Sequence, residues 1–197
     1  MNCMSTQNTI RAMLVGGARI AKGRAPEVAG LIRMHPRKTA QVVECLWDDD
    51  PVVANRAADA LERASYVEPR LLQAWKGTLL GRMLDASENK LRWNLALMVP
   101  RVKLTEAESD RAAAVLWRWL EDKSSIVKTA SMHGLAGLTQ WNTALLPSVL
   151  DMLRIMSRCG TPAMRARGRI LLKRLEAPAK PKKRRMNATT RCRKHHE

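Results

Sequence analysis

Aromatic residues and acidic residues are both scarce in this sequence of 197 residues. It has no Phe and one Tyr, and aromatics make up 4% of the chain. Strands are enriched in β-branched and aromatic residues, so an all-β sandwich or barrel is not favoured. No run of about eighteen uncharged apolar residues occurs, and no membrane-spanning helix is expected. Only 18 Asp and Glu oppose 35 Lys and Arg, and the net charge of +17 favours a polyanionic partner.

Cysteine is also sparse, and its spacing excludes two kinds of site. Cys3, Cys45, Cys159 and Cys192 form no close pair and no zinc-ligand spacing, so we expect no disulfide framework, no metal and no cofactor. The sequence lacks phosphate-loop, dinucleotide and nucleophile-elbow motifs, which removes the common enzyme classes with local signatures. A reducing cytoplasmic location is predicted, with association to nucleoid or ribosome, or nuclear import in a eukaryote, as alternatives.

What the sequence does have is a repeat. Each copy begins with an apolar residue at position 1, usually followed by a basic residue at position 2, with apolar or small residues at positions 5, 8, 9 and 12. Copies begin at Val53, Leu91, Val127 and Met164, at steps of 36 to 38 residues, and a weaker copy begins at Ile10. The repeated positions fall on one side of a helix at 100° per residue, so each copy predicts an amphipathic helix.

A second predicted helix precedes each of the four clear copies. These earlier helices are expected at about 37–47, 70–85, 106–122 and 143–157, and short turns with Pro, Ser or Gly separate them from the copies. The unit is therefore helix, turn, helix. We predict an all-α chain: an array of about five units over 1–177, then a disordered basic tail over 178–197.

This pattern resembles the HEAT-repeat family over about residues 10–176. The resemblance rests on Asp48 with Pro51-Val52-Val53, on Asp122 with Val127-Lys128, and on Met164-Arg165. It implies an α-solenoid, in which an Asp in the turn and a base at position 2 form a ladder between units. By resemblance the ladder residues are Asp48, Asp122, Arg92, Lys128 and Arg165. Ala54, Ala86 and Cys159 stand where three further members would be.

An array of stacked units leaves one face of each second helix lining an inner surface. At 100° per residue, positions 3, 6, 7 and 10 point away from the predicted core. Trp93, Leu97, Met132 and His133 occupy such positions and are predicted to line a groove. An indole on a solvent face is uncommon, so Trp93 is the best single candidate for contact with a base or an apolar partner. The alternative is that a neighbouring segment covers it.

The basic residues near the end of the repeats form a second group of candidates. Arg165, Arg169 and Lys173 lie on the last predicted helix, and the tail contains the run Lys182, Lys183, Arg184 and Arg185. Residues 179–197 carry a net charge of +7, which leaves +10 on the rest of the chain. Both groups are predicted to bind phosphates in a salt-dependent way.

We therefore expect a non-catalytic binding protein whose partner is nucleic acid, DNA or RNA, with Trp93 and His133 as groove contacts. The alternative is a protein–protein adaptor that holds an acidic or apolar segment. A remote alternative is the alkylpurine DNA glycosylase group, to which the chain is similar in having HEAT-like repeats and a predicted groove-lining Trp. That resemblance implies a catalytic Asp, for which Asp59 is the candidate.

Overall fold

The computed structural model describes residues 4–15 and 23–177, and in this part of the chain all regular secondary structure is helical, with no strand. The all-α prediction is thus confirmed for these residues. The ten α-helices are α1 (Met4–Leu14), α2 (Ala25–Met34), α3 (Thr39–Glu44), α4 (Pro51–Val67), α5 (Lys76–Asp85), α6 (Asn89–Met98), α7 (Glu106–Trp119), α8 (Ser125–Leu138), α9 (Leu146–Cys159) and α10 (Pro162–Glu176). Short 3-10 segments at Pro36–Lys38, Cys45–Trp47, Pro69–Trp75, Val99–Arg101 and Thr143–Leu145 extend or connect them.

Local capping explains where several of these helices begin. The Asp50 side chain accepts a hydrogen bond of 2.8 Å from the Val52 backbone N–H, and Pro51 occupies the first turn, where its missing N–H removes no bond. Thr105 and Glu108 form a capping box at the start of α7. Thr161 accepts from the Met164 N–H at the start of α10.

The four clear copies of the repeat lie in α4, α6, α8 and α10. Each of these helices begins two residues before its pattern does, at Pro51, Asn89, Ser125 and Pro162. The earlier helices of the units correspond to α3, α5, α7 and α9, and 3-10 segments make up part of three of them.

The N-terminal part differs from what the repeat suggested. The weak copy at Ile10 falls at the end of α1, and its remaining positions reach into residues 16–22, outside the described residues. Helix α2, which the sequence analysis did not predict, packs against α4. Ile10 and Leu14 of α1 are nevertheless fully buried, and the buried Arg56 of α4 donates a hydrogen bond of 2.8 Å to the Leu14 carbonyl.

The even-numbered helices α2, α4, α6, α8 and α10 pack in succession, each against the next. Two glycines of α8 permit its close approach to α6. A Cβ at Gly134 would lie 2.7 Å from the Ala96 carbonyl oxygen, and one at Gly137 would lie 2.8 Å from the Pro100 side chain. Because Ala96 and Pro100 hold positions 6 and 10 of their copy, that side of α6 faces the following helix. The hydrophobic core includes residues of these helices and of the odd-numbered helices α1, α3, α5, α7 and α9.

Two arginines at position 2 pair with an Asp five residues before the next copy. Arg11 donates hydrogen bonds to both carboxylate oxygens of Asp48, through Nε at 2.6 Å and through Nη2 at 3.0 Å. Arg92 donates to Asp122 through Nη1. Between these two pairs in the chain, the corresponding positions are 54 and 86, and both residues are Ala. Lys128 forms no salt bridge with a described residue, and Cys159 occupies the matching acidic position. The interactions therefore run from one copy to the Asp of the next.

Candidate functional site

Trp93 lies at the junction of two depressions on the exposed face of α4, α6, α8 and α10. The larger depression, of about 680 Å³, extends toward α4, and the smaller, of about 250 Å³, extends toward α10. Trp93 and Ile126 line both of them. We call the two depressions together the groove. It crosses α4, α6, α8 and α10.

The exposure of Trp93 in the structure is 37%, and Ile126 beside it is 60% exposed. No described segment covers the indole completely. The smaller depression also contains Leu97 and His133, so three of the four predicted groove residues come together. This concentration of apolar surface in water costs stability unless a ligand covers it.

Met132 was wrongly placed in the groove, since its side chain is fully buried. The reason is that position 6 faces the next helix: Ala58, Ala96 and Met132 hold this position in α4, α6 and α8, and all three are inaccessible to solvent. The helical-wheel angles identify the side of each helix that faces away from the core of its own unit. They do not account for the following unit, which buries part of that side.

The charge of the groove changes along its length. In the larger depression Asp59 and Glu88 face Arg63 and Lys90, and Arg63 donates to Asp59 at 3.1 Å. These four groups balance in number. The smaller depression contains Arg167 and no acid among the described residues. The groove is therefore close to neutral near α4 and cationic near α10.

His133 lies at the cationic end, in a poor setting for a charged imidazole. Burial and the positive charges of Arg174, Arg167 and Arg101 lower the pKa of His133 to about 4. Its Nδ1 is buried without a hydrogen-bond partner among the described residues. At neutral pH the ring is thus uncharged, and it contributes apolar contact area to the groove.

Arg165, Arg169 and Lys173 lie on the other exposed side of α10. All three are exposed, and none forms a salt bridge with a described residue. They are spaced four residues apart, so their Cβ atoms follow one another at about 6 Å along one face of the helix. We call these residues the terminal row.

The terminal row occupies positions 2, 6 and 10, which face the following helix in earlier copies. Position 6 is Ala96 in α6 and Met132 in α8; position 10 is Pro100 and Ala136, and all four are buried. In α10 the same positions are Arg169 and Lys173, and no described helix packs against them. The predicted tail residues Lys182, Lys183, Arg184 and Arg185 lie outside the described residues.

Lys90, Ile126 and Arg167 are among the groove residues that sequence reasoning missed. Lys90 and Ile126 come one residue before position 1, an angle close to that of positions 3 and 7, and the helical wheel could have identified them. Arg167 holds position 4, which faces the preceding helix. Nothing in the local pattern distinguishes it from the buried Asn94 at the same position of α6.

Within the described residues, no group of three His, Cys, Asp or Glu side chains is placed to hold a metal ion. No helix in this part of the chain is long and apolar enough to cross a bilayer.

No protein-family model matches the sequence, and no curated protein or solved structure matches it either.

Proposed function

We propose that the chain is a HEAT-like α-solenoid that binds nucleic acid without catalysis, through the phosphates of the backbone. The observation that supports this is the terminal row, in which Arg165, Arg169 and Lys173 expose three cations. At the positions of Arg169 and Lys173, the copies in α6 and α8 bury small or apolar side chains. The basic tail over 178–197 continues directly from the same helix in sequence, which adds to the local positive charge.

The repeat arrangement is inferred from three features together. They are the period of 36 to 38 residues, the succession of contacts from α2 to α10, and the paired Arg and Asp side chains between consecutive copies. In an array of this kind each helix pair contacts its neighbours, and an end pair needs a polar outer face. Arg169 and Lys173 give α10 such a face, so an end cap that binds nothing is the competing explanation for the row.

A salt titration separates phosphate binding from a simple end cap. The affinity of the full chain for a fluorescent 20-nucleotide single strand and for the matching duplex is measured between 50 and 300 mM salt. We expect log affinity to fall linearly with log salt. Neutralising Arg169 and Lys173 to Gln should reduce the slope by about 1.4 to 1.8, because each phosphate contact contributes about 0.7 to 0.9.

Arg33→Gln/Arg37→Gln is the matched control. It removes the same charge from exposed residues in and after α2, at the other end of the succession of helices. This variant should keep a slope close to that of the wild type. Equal slopes for the two double variants, or salt-independent binding, would contradict the proposal. Deleting residues 178–197 should weaken binding several-fold further.

The groove supports a second candidate, an adaptor that binds a largely apolar protein segment. Trp93 and Ile126 remain exposed there. Because acidic residues balance the cations of the larger depression, it offers phosphates no net electrostatic attraction. Under this hypothesis Trp93→Ala abolishes partner capture and leaves nucleic-acid binding unchanged.

The glycosylase alternative concerns the same groove, since Asp59 and Trp93 both line the larger depression. The Asp59 carboxylate is 8% exposed and is held by Arg63. Mass analysis of bases released from alkylated DNA tests this alternative, and activity retained by Asp59→Ala would exclude the proposed carboxylate.

A further inference from the structure

The residue at position 2 can be compared across three copies. In two of them, Arg11 and Arg92, the guanidinium binds the carboxylate of an Asp that precedes the next copy. In the last copy the residue is Arg165. No later copy follows in the described residues, so no Asp of that kind reaches it.

Arg165 nevertheless contacts a backbone carbonyl at the same place in its copy as Arg92 does, although through a different nitrogen. Arg92 donates through Nη2 to the carbonyl of Ser87, four residues before the start of its copy, and through Nε to the carbonyl of Ala86. Arg165 donates through Nη1 to the carbonyl of Gly160, which has the same place before its own copy, at 3.2 Å. This bond orients the guanidinium without an acid partner.

The nitrogens that remain on Arg165 are those that form a fork elsewhere in the chain. Arg11 uses Nε and Nη2 to bind both oxygens of Asp48. On Arg165 these same two nitrogens donate to no described residue. A planar fork of this kind matches two oxygens of a carboxylate or a phosphate, and the match is specific to Arg.

We propose that Nε and Nη2 of Arg165 form a preorganised site for one phosphate group of a nucleic-acid backbone. The inference deepens the proposed function and rests on it for the source of the phosphate. A phosphate fits better than a protein carboxylate because Arg169 and Lys173 continue the row with no acid between them, and a backbone supplies further charges at intervals. Arg165 would thus fix the strand, and the other two residues would contribute charge alone.

Replacing Arg by Lys tests the fork, because this change keeps the charge and removes the paired donors. We expect Arg165→Lys to lower the affinity of the full chain for the 20-nucleotide strand about fivefold, a size set by the strength of a bidentate charged contact. Arg169→Lys is the matched control and should change it less than twofold. Thermal unfolding of both variants should match the wild type, since both residues are exposed. Equal effects of the two substitutions would overturn the inference and leave the proposed function standing.

A direct measurement uses inorganic phosphate as the probe. In the ¹⁵N-labelled full chain, the Nε–H signal of Arg165, identified by its loss in Arg165→Lys, should shift saturably with phosphate and not with chloride at equal ionic strength. An equal, saturable response to acetate would indicate a carboxylate partner and contradict the proposal that the ligand is a phosphate. If the wild type binds no nucleic acid at 50 mM salt while the phosphate shift persists, the proposed function fails and the anion site remains.

Discussion

The exposed helix faces of this protein form two regions of opposite chemistry, although both derive from the same repeated pattern. The groove contains positions 3 and 7 of the copies in α4, α6 and α8, together with residues such as Ile126 and, in α10, Arg167. Its apolar residues include Trp93, Leu97 and Ile126, and its charges are balanced near α4. The terminal row is built from positions 2, 6 and 10 of one copy and carries three cations. The groove offers area to an apolar ligand, whereas the terminal row offers charge.

A position in the repeated pattern therefore has no fixed environment. Position 6 is buried in α4, α6 and α8 because another helix follows each of them, and it is exposed in α10 because none of the described helices does. Met132 and Arg169 therefore both hold position 6 of their copies, but Met132 is buried and Arg169 is exposed. Four predictions test how sharply the two environments differ.

The largest effect is expected from exchanging the residue types at these two positions. Met132→Arg should lower the free energy of unfolding by about 4 kcal/mol, because it places an unpaired charge in a dry interface. Arg169→Met should change it by no more than about 0.5 kcal/mol, as for other exposed substitutions. Urea denaturation of both variants measures the difference. Similar values for the two would mean that α10 does not bury Met132.

The second prediction concerns pH and the cationic end of the groove. The pKa of His133 is about 4 in the folded protein, below the ordinary value of 6.5. Between these values the unfolded chain binds a proton that the folded chain does not, so stability falls as the pH falls from about 6.5 toward 4. His133→Gln should reduce the loss of unfolding free energy between pH 7 and pH 4.5 by about 1 to 2 kcal/mol.

His35→Gln is the control for this titration, since His35 is exposed. The contribution of His133 is the difference between the pH dependences of the two variants. If both variants follow the wild-type curve, His133 is not held neutral by its surroundings.

The third prediction tests whether the groove and the terminal row act separately. Trp93→Ala should lower the free energy of unfolding by only about 1 kcal/mol, because the indole is already partly exposed. The salt slope and the affinity for nucleic acid should both stay unchanged. A loss of about tenfold in affinity, measured by fluorescence anisotropy, would show instead that bases stack in the groove.

The smallest effect is expected at the end of the terminal row. Glu176 is the only acidic residue of α10, and it accepts from Arg154 of α9 at 3.0 Å in an exposed pair. Glu176→Gln should raise nucleic-acid affinity by up to about twofold at low salt and should change stability little. Asp151→Asn removes the other acid paired with Arg154, and an equal gain from this variant would argue against a local effect of the row.

Much of the secondary structure could be predicted from the sequence, because apolar periodicity and capping residues act locally. The starts at 53, 91, 127 and 164 fall two residues inside α4, α6, α8 and α10. The 3-10 segment at Pro69–Trp75 was read as part of a longer helix, since apolar spacing alone does not separate the two geometries. Helix α2 was missed because it lies outside every copy of the repeated pattern.

The candidate sites were predicted less completely. Trp93, Leu97 and His133 were assigned to one surface and lie together, because positions 3 and 7 point to the same side in every copy. Met132 was misplaced because the rotation of consecutive helices about their axes decides which neighbouring position is buried. Arg167 was missed for the same reason.

The sequence by itself determined the helices, their period and the surplus of positive charge, because each of these follows from the order of residues along the chain. Only the tertiary structure decided which side of each helix the next one covers. It paired Arg11 with Asp48 and Arg92 with Asp122, and it left the Nε and Nη2 of Arg165 without a described partner. Burial and pairing depend on neighbours that are distant in the chain, and among the described residues no later helix covers the side of α10 that earlier copies bury.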